Sequence, residues 1–204
     1  KRNPKLEVED FIDADFKKIK WTRALKEDLS RGLIHNFAKN NIIKSSYRPF
    51  CAAHLYYDKN FIESPGLGDK LFPSNYENFT IGVSGIGASK ASTLMLASIT
   101  SMDILNKTQC FPLYWYEEID KKEMGLFDNP SDDKEFIRHD AISDFILDQA
   151  KKRYGPVVKK EDIFYYVYGF LHSADYTKTF ASDLKKDSPR IPLLEEPKQF
   201  WAFS

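Results

Sequence analysis

The chain has 204 residues, with 30 Lys+Arg against 30 Asp+Glu, so its formal net charge is zero. It is 42% hydrophobic and carries 16 Phe, 11 Tyr and 3 Trp, which excludes a disordered tail or a low-complexity linker. No uncharged apolar run approaches the roughly 18 residues of a membrane-spanning helix, and residues 1–11 lack the apolar stretch of a secretory signal.

In chain order, Trp21, Leu25 and Leu29 fall four apart and predict a helix over 21–31 that Gly32 ends. From Ser45 the texture changes. Tyr47-Arg48-Pro49-Phe50 leads into a β-favouring run at 53–57, and Asp58-Lys59-Asn60 closes it. Pro65, Gly66 and Gly68 mark a loop. Residues 79–83 and 108–116 read as two further strands, while 93–105 is too mixed to assign. Residues 117–135 hold eight acids against three lysines and read as an exposed loop closing at a helix start.

The last third is helical in pattern. Ile137, Ala141, Phe145 and Ile146 predict an amphipathic helix over 136–153, ended by Gly155-Pro156. A second helix is expected over 161–171. Ser173 suits the N-cap of a third, with Tyr176, Phe180 and Leu184 four apart and Pro189 past its end. Phe200-Trp201-Ala202-Phe203 reads as a strand-like stretch, and a chain stopping there looks cut from something longer. The expected class is α+β, with mixed central β-structure and helices at both ends, largely one compact domain.

Catalytic patterns fail one by one. The run from Gly82 to Lys90 invites a phosphate-loop reading, because successive glycines let backbone N–H groups wrap an anion. Its spacing matches neither a Walker A loop nor a dinucleotide fingerprint, which leaves a flexible surface loop. His35, His54, His139 and His172 share no metal-binding spacing, and no metal site is expected. Cys51 and Cys110 lie too far apart for a zinc cluster and read as buried free thiols. No nucleophile elbow occurs, nor the Asn-Pro-Pro-Tyr motif of an adenine methyltransferase, so no catalytic residue is assigned.

Zero net charge removes the simplest argument for a nucleic-acid partner, so any such role must rest on local charge. Lys151, Lys152, Arg153, Lys159 and Lys160 place five cations within ten residues, with Tyr154 among them. Such a patch suits DNA phosphates, although the first three also end a predicted helix, where the macrodipole favours cations. Lys17, Lys18, Lys20, Arg23 and Lys26 form a second cluster, followed at once by Glu27 and Asp28. Asn75, Asn78, Ser84, Ser89, Lys90, Asn106, Lys107, Thr108 and Gln109 are the polar loop residues suited to reading base edges.

An ordered set of segments then becomes recognisable. It runs through Ile19-Lys20-Trp21, Leu29-Ser30-Arg31-Gly32, Tyr47-Arg48-Pro49-Phe50 and Leu55-Tyr56-Tyr57-Asp58. It continues with Gln109-Cys110-Phe111-Pro112-Leu113-Tyr114 and the stretch from Asp162 to Ser173. Tyr176, Phe180, Asp183-Leu184-Lys185-Lys186, Pro189-Arg190-Ile191-Pro192-Leu193 and Phe200-Trp201-Ala202-Phe203 complete it. Together they resemble the C-terminal specificity region of type ISP restriction–modification enzymes.

The resemblance implies a target recognition domain in a long polypeptide with nuclease, helicase-like ATPase and adenine-N6 methyltransferase portions. Residues 1–44 would be a helical connector from the methyltransferase region, and 45–204 the recognition domain, falling short of its natural C-terminus. The implied partners are double-stranded DNA and the methyltransferase domain of the same polypeptide, with no membrane, in a cytoplasmic setting. S-adenosylmethionine, ATP and magnesium would belong to other domains, and no cofactor is expected in this one. The DNA-contact candidates are Arg48, Lys90, Lys107, Gln109, Lys151, Lys152, Arg153, Lys159 and Lys160. Arg48 and Arg190 are the motif cations, with pairing to an internal carboxylate as the alternative role for either. Readers of the site are expected between the motifs, mainly in 66–109 and 117–160. The competing expectation is a docking module that packs on the methyltransferase or helicase portion and touches DNA little.

Overall fold

The computed structural model describes residues 7–15, 17–18, 20–74, 76–119 and 136–204. Its class is α+β, with three small sheets among the described residues and helices on either side of them in the chain. The chain divides into two compact units, residues 1–43 with 54–66, and residues 44–53 with 67–204.

In the smaller unit, helix α1 (Arg23–Arg31) begins where the Thr22 hydroxyl accepts a hydrogen bond from the Leu25 amide. It ends at Gly32, whose φ of 72° is the left-handed conformation that a glycine C-cap supplies without strain. Leu25 is its buried anchor. An aromatic cluster follows: Phe37 stacks on Tyr56 at 5.3 Å, and Phe61 meets both Tyr56 and His35 edge-on. Asn41 donates from Nδ2 to Asp58 Oδ2 at 2.8 Å, closing the loop beyond the cluster.

Strands β1 (Ile42–Arg48) and β2 (Cys51–Tyr56) form a hairpin whose residues 44–53 belong to the larger unit. β1 escapes sequence reading because its centre, Lys44-Ser45-Ser46, is polar. Ser45 is buried nonetheless, and its hydroxyl donates to the Ala53 carbonyl. Cys51 is exposed, contrary to the expected buried thiol, because its neighbours at the hairpin turn are exposed as well.

The larger unit continues with α2 (Gly68–Leu71), a single turn inside the expected loop. The central strand β3 (Thr80–Val83) is buried along its whole length. It pairs antiparallel with β4 (Thr93–Leu96) on one side and β5 (Gln109–Pro112) on the other. The expected single strand over 108–116 is therefore two. Leu113 separates β5 from β6 (Tyr114–Glu118), which pairs antiparallel with β7 (Phe136–Asp140).

Asn78 enforces this break. Its side-chain amide donates to the carbonyls of Leu71 and Tyr114, at 2.8 and 2.7 Å. Its Oδ1 accepts from the amides of Phe79 and Tyr114. A residue expected on a polar surface loop is thus a buried clamp, 3% exposed.

The helix expected over 136–153 is corrected in its first part. Residues 136–140 form β7, because strand β6 offers a complete antiparallel partner. The helix α3 (Asp144–Tyr154) starts only at Ser143, whose hydroxyl caps the Ile146 amide. Ile137 and Phe145, assigned to the apolar face of that helix, are exposed, while Ala150 and Tyr154 are buried. Glu117 and Glu118, placed in an acidic loop, close strand β6. The rest of that stretch, 120–135, lies outside the described residues.

Helix α4 (Lys160–Leu171) follows the sequence pattern, and α5 (Ala174–Thr179) starts as expected with Ser173 capping Tyr176, but it ends at Thr179, short of the expected positions Phe180 and Leu184. The predicted strand-like end is instead α6 (Pro197–Phe203), started by Pro197 at its first turn. Helix α6 presses on α4 so closely that any side chain at Gly169 would collide with the Phe203 carbonyl. Phe200 is fully buried and stacks against both Tyr154 and Tyr166, at 4.2 and 4.8 Å.

Three tyrosines hold the irregular chain between α5 and α6. The hydroxyl of Tyr154 donates to the Leu194 carbonyl, that of Tyr166 to Pro192, and that of Tyr176 to Arg190. Backbone acceptors outside regular structure find donors in such side chains. Tyr166 and Tyr176, both in the motif set, are therefore core residues, as is Tyr154.

Candidate nucleic-acid interface

The larger unit gathers its loops through backbone contacts. The β3–β4 loop is closed on itself by Ser84, whose amide donates to the Ser92 carbonyl and whose hydroxyl accepts from the Ser92 amide. Gly85 donates to the Asn106 carbonyl at 3.1 Å, and Gly87 to the Lys185 carbonyl at 2.9 Å. The loop before β5 is held against β1 from its other side. Ser101 donates to the Ser46 carbonyl, and Arg48 donates from Nη1 to the Asp103 carbonyl at 3.0 Å. Four sequence-distant segments, around 46–48, 84–92, 98–108 and 185, are stitched together in this way.

The expectation of a free surface loop over 82–90 is thereby corrected. Gly82 and Val83 are strand, Ala88 is buried, and Gly85 packs on the backbone of Lys107. A Cβ at Gly85 would collide with the Lys107 carbonyl. Glycines chosen on a phosphate-loop pattern serve close packing between loops.

On this scaffold Arg48, Lys90, Lys107 and Gln109 are exposed, together with Ser89 and Asn106. The Arg48 guanidinium also lies over the Tyr47 ring, 4.9 Å from its centroid. Lys90 and Lys107 make no ion pair among the described residues. Thr108 is half-buried and turned inward, its hydroxyl accepting from the Leu105 amide. Asn75 lies outside the described residues. Lys185 joins the group through Gly87, a neighbour that sequence spacing could not disclose because about 100 residues separate them.

The second group of cations divides. Arg153 donates to the carbonyls of Leu193 and Leu194, the shorter bond being 2.6 Å. Lys160 bridges Asp140 and Asp144, at 2.9 and 2.6 Å, with its side chain only 17% exposed. These two are committed to the fold. Lys151, Lys152 and Lys159 are exposed and carry no ion pair among the described residues. Arg190, the other motif cation, pairs with Asp187 at 3.1 Å.

The β6–β7 hairpin adds groups that the helical reading of 136–153 concealed. Trp115 stacks on His139 with ring centroids 4.1 Å apart, and His139 Nε2 lies 2.9 Å from Glu117 Oε2. Arg138 lies over the Tyr114 ring, 4.4 Å from its centroid. The Tyr114 hydroxyl donates to Glu161 Oε1 at 2.7 Å. Burial, and then that carboxylate, push the Tyr114 hydroxyl up to about 12, while the same hydrogen bond holds Glu161 below the usual carboxylate range.

Among the described residues, no His, Cys, Asp and Glu side chains converge to hold a metal ion. No described helix is long and apolar enough to cross a membrane. A recess of about 650 Å³ is lined mainly by Phe170, Tyr176, Phe180, Leu184, Ile191 and Pro192. It contains no pairing of nucleophile and base.

The family model of the Type ISP C-terminal specificity domain matches residues 1–204. The chain belongs to this family. Among solved structures, this specificity domain is similar to the protein in a cryo-EM structure of a DrdV–DNA complex, at 32% identity and a TM-score of 0.79. That match covers 97% of this chain and 18% of the other. The ATP-dependent Type ISP restriction–modification enzyme LlaBIII, solved bound to DNA, is 29% identical with a TM-score of 0.73. It is matched over 90% of this chain and 12% of its own. A nuclease-deletion mutant of the Type ISP enzyme LlaGI, in complex with a DNA substrate mimic, is 30% identical with a TM-score of 0.71. Here the coverage is 97% and 16%. The specificity domain thus spans less than a fifth of each of these chains. A comparison with curated proteins returned no match.

Proposed function

We propose that this specificity domain recognises a specific duplex DNA sequence on behalf of a Type ISP restriction–modification polypeptide. The observation that carries the reading is the stitched loop cluster, which brings Arg48, Lys90, Lys107 and Gln109 from distant segments onto one rigid support. The likeness over nearly the whole chain to enzymes solved with DNA supports it. Cations would grip phosphates and fix the register, and polar side chains would read base edges in the major groove.

In this reading the domain delivers one adenine to the methyltransferase portion of the same polypeptide, where the base must leave the stack to react. The same recognition event licenses the ATP-driven translocase and nuclease portions. S-adenosylmethionine, ATP and magnesium serve those other portions, and the protein acts on DNA in the cytoplasm.

Leu33, Ile34 and Phe37 are 51%, 87% and 69% exposed, which favours an additional docking role for the smaller unit on another portion of the polypeptide. Selection from a randomised duplex pool at two salt concentrations tests the recognition function. One enriched asymmetric motif, bound more weakly as salt rises, is the expected result. A folded protein that enriches no motif would leave docking as the function.

A further inference from the structure

Asn106 and Lys107 are consecutive non-glycine residues with φ of 65° and 51°. Most L-residues avoid this left-handed region, asparagine less than others, so Lys107 in particular needs support from its surroundings. It has that support. The buried Ile104 roots the loop, and the Leu105 amide donates to the Thr108 hydroxyl at 2.9 Å. The Thr108 amide returns to the Met102 carbonyl at 2.8 Å. From the neighbouring loop, Gly85 donates to the Asn106 carbonyl and leaves room for the Lys107 backbone against its Cα.

The backbone is pinned while the side chains are not. Both residues are exposed, and neither side chain makes a hydrogen bond or ion pair among the described residues. Asn78 is the internal contrast, since its amide satisfies four backbone groups and is buried. The Asn106 amide has comparable bonding capacity and spends none of it on the fold.

We propose that Asn106 and Lys107 are specificity-determining residues that present a carboxamide and an ammonium to the major-groove edges of neighbouring purines. The inference rests on the DNA-reading function proposed above. A carboxamide donates and accepts at once, which matches N7 and the N6 amino group of adenine. An ammonium only donates, which matches O6 and N7 of guanine. Because the loop is held before DNA arrives, binding costs little ordering of its backbone.

Glycine adopts the left-handed conformation without strain, so Asn106→Gly and Lys107→Gly remove each side chain while keeping the loop's shape. The test compares both variants with wild type, each in the complete natural polypeptide, by pool selection and by equilibrium binding to the selected site. Thermal transitions close to that of wild type establish that the variants fold. For Asn106→Gly, discrimination for adenine at one position should fall about tenfold or more, with the other positions unchanged. For Lys107→Gly, the same loss should occur for guanine at a nearby position. Two variants that enrich the wild-type motif with undiminished discrimination would overturn the assignment and leave the DNA-reading function standing. Uniformly weaker binding with an unaltered motif would also overturn it, marking phosphate contacts instead. A wild-type protein that enriches nothing would remove the DNA-reading function and this assignment together.

Discussion

The hydroxyl of Tyr166, in the middle of α4, donates to the carbonyl of Pro192 at 2.6 Å and fastens an irregular segment to the helical core. Tyr166 is 1% exposed, while Pro192 on the acceptor side is an exposed residue. Tyr166→Phe should therefore cost about 1 kcal/mol, the net worth of a lost hydrogen bond rather than of a stranded acceptor. Urea unfolding of the variant beside wild type measures the difference, and an unchanged midpoint would contradict it.

Alkaline pH should reveal the same tyrosines. Burial pushes the hydroxyls of Tyr114 and Tyr166 up to about 12, against an ordinary value near 10. A raised folded-state value favours the neutral form in the native protein. The stability they contribute is therefore fully present below about pH 10 and is lost as pH rises from there towards about 12. Phenolate absorbance should show these two groups ionising later than the ordinary tyrosine value near 10 would give.

Asn78 joins α2 to the break between β5 and β6 through four hydrogen bonds. Asn78→Ala would strand two amides and two carbonyls in a buried place, so a loss of about 3 kcal/mol or more is expected. The transition temperature should fall accordingly, and a shift of only a degree or two would show that the clamp is dispensable.

The cations should separate by what they already hold. Replacing Lys90, Lys151, Lys152 or Lys159 with Ala should leave stability nearly unchanged. Each that meets a phosphate should reduce the slope of log affinity against log salt by about one. Arg153→Ala should instead cost about 1 kcal/mol of stability through its lost carbonyl partners and leave the salt slope unchanged. Lys160, held by Asp140 and Asp144, should behave like Arg153. Salt titrations of affinity, paired with melting curves, distinguish the two classes.

The two thiols should differ in reactivity at neutral pH. Cys51 is exposed, whereas Cys110 is half-buried with its thiol pushed up by burial, which depletes the reactive thiolate. A soluble thiol reagent should label Cys51 promptly and Cys110 only slowly until denaturant is added. Equal rates in the native protein would refute this.

Local chemistry made much of the chain legible. The cap at Ser173 and the stop at Gly32 act within a few residues of themselves, and the sequence contains everything they need. The apolar spacing of α4 and the β-character of β3 are of the same kind, as is the ordered motif set that marks the family. What distant partners decide was not legible. Residues 136–140 have a helical apolar spacing and still form a strand, because pairing with β6 satisfies every backbone group on one edge. Arg153 and Lys160 look like their free neighbours in the sequence, and only the placing of Leu193, Asp140 and Asp144 commits them to the fold. The candidate interface belongs to this second class. Gly85 meets Asn106, and Gly87 meets Lys185, through backbone hydrogen bonds, which carry no side-chain signature, so these associations exist only once the chain has folded.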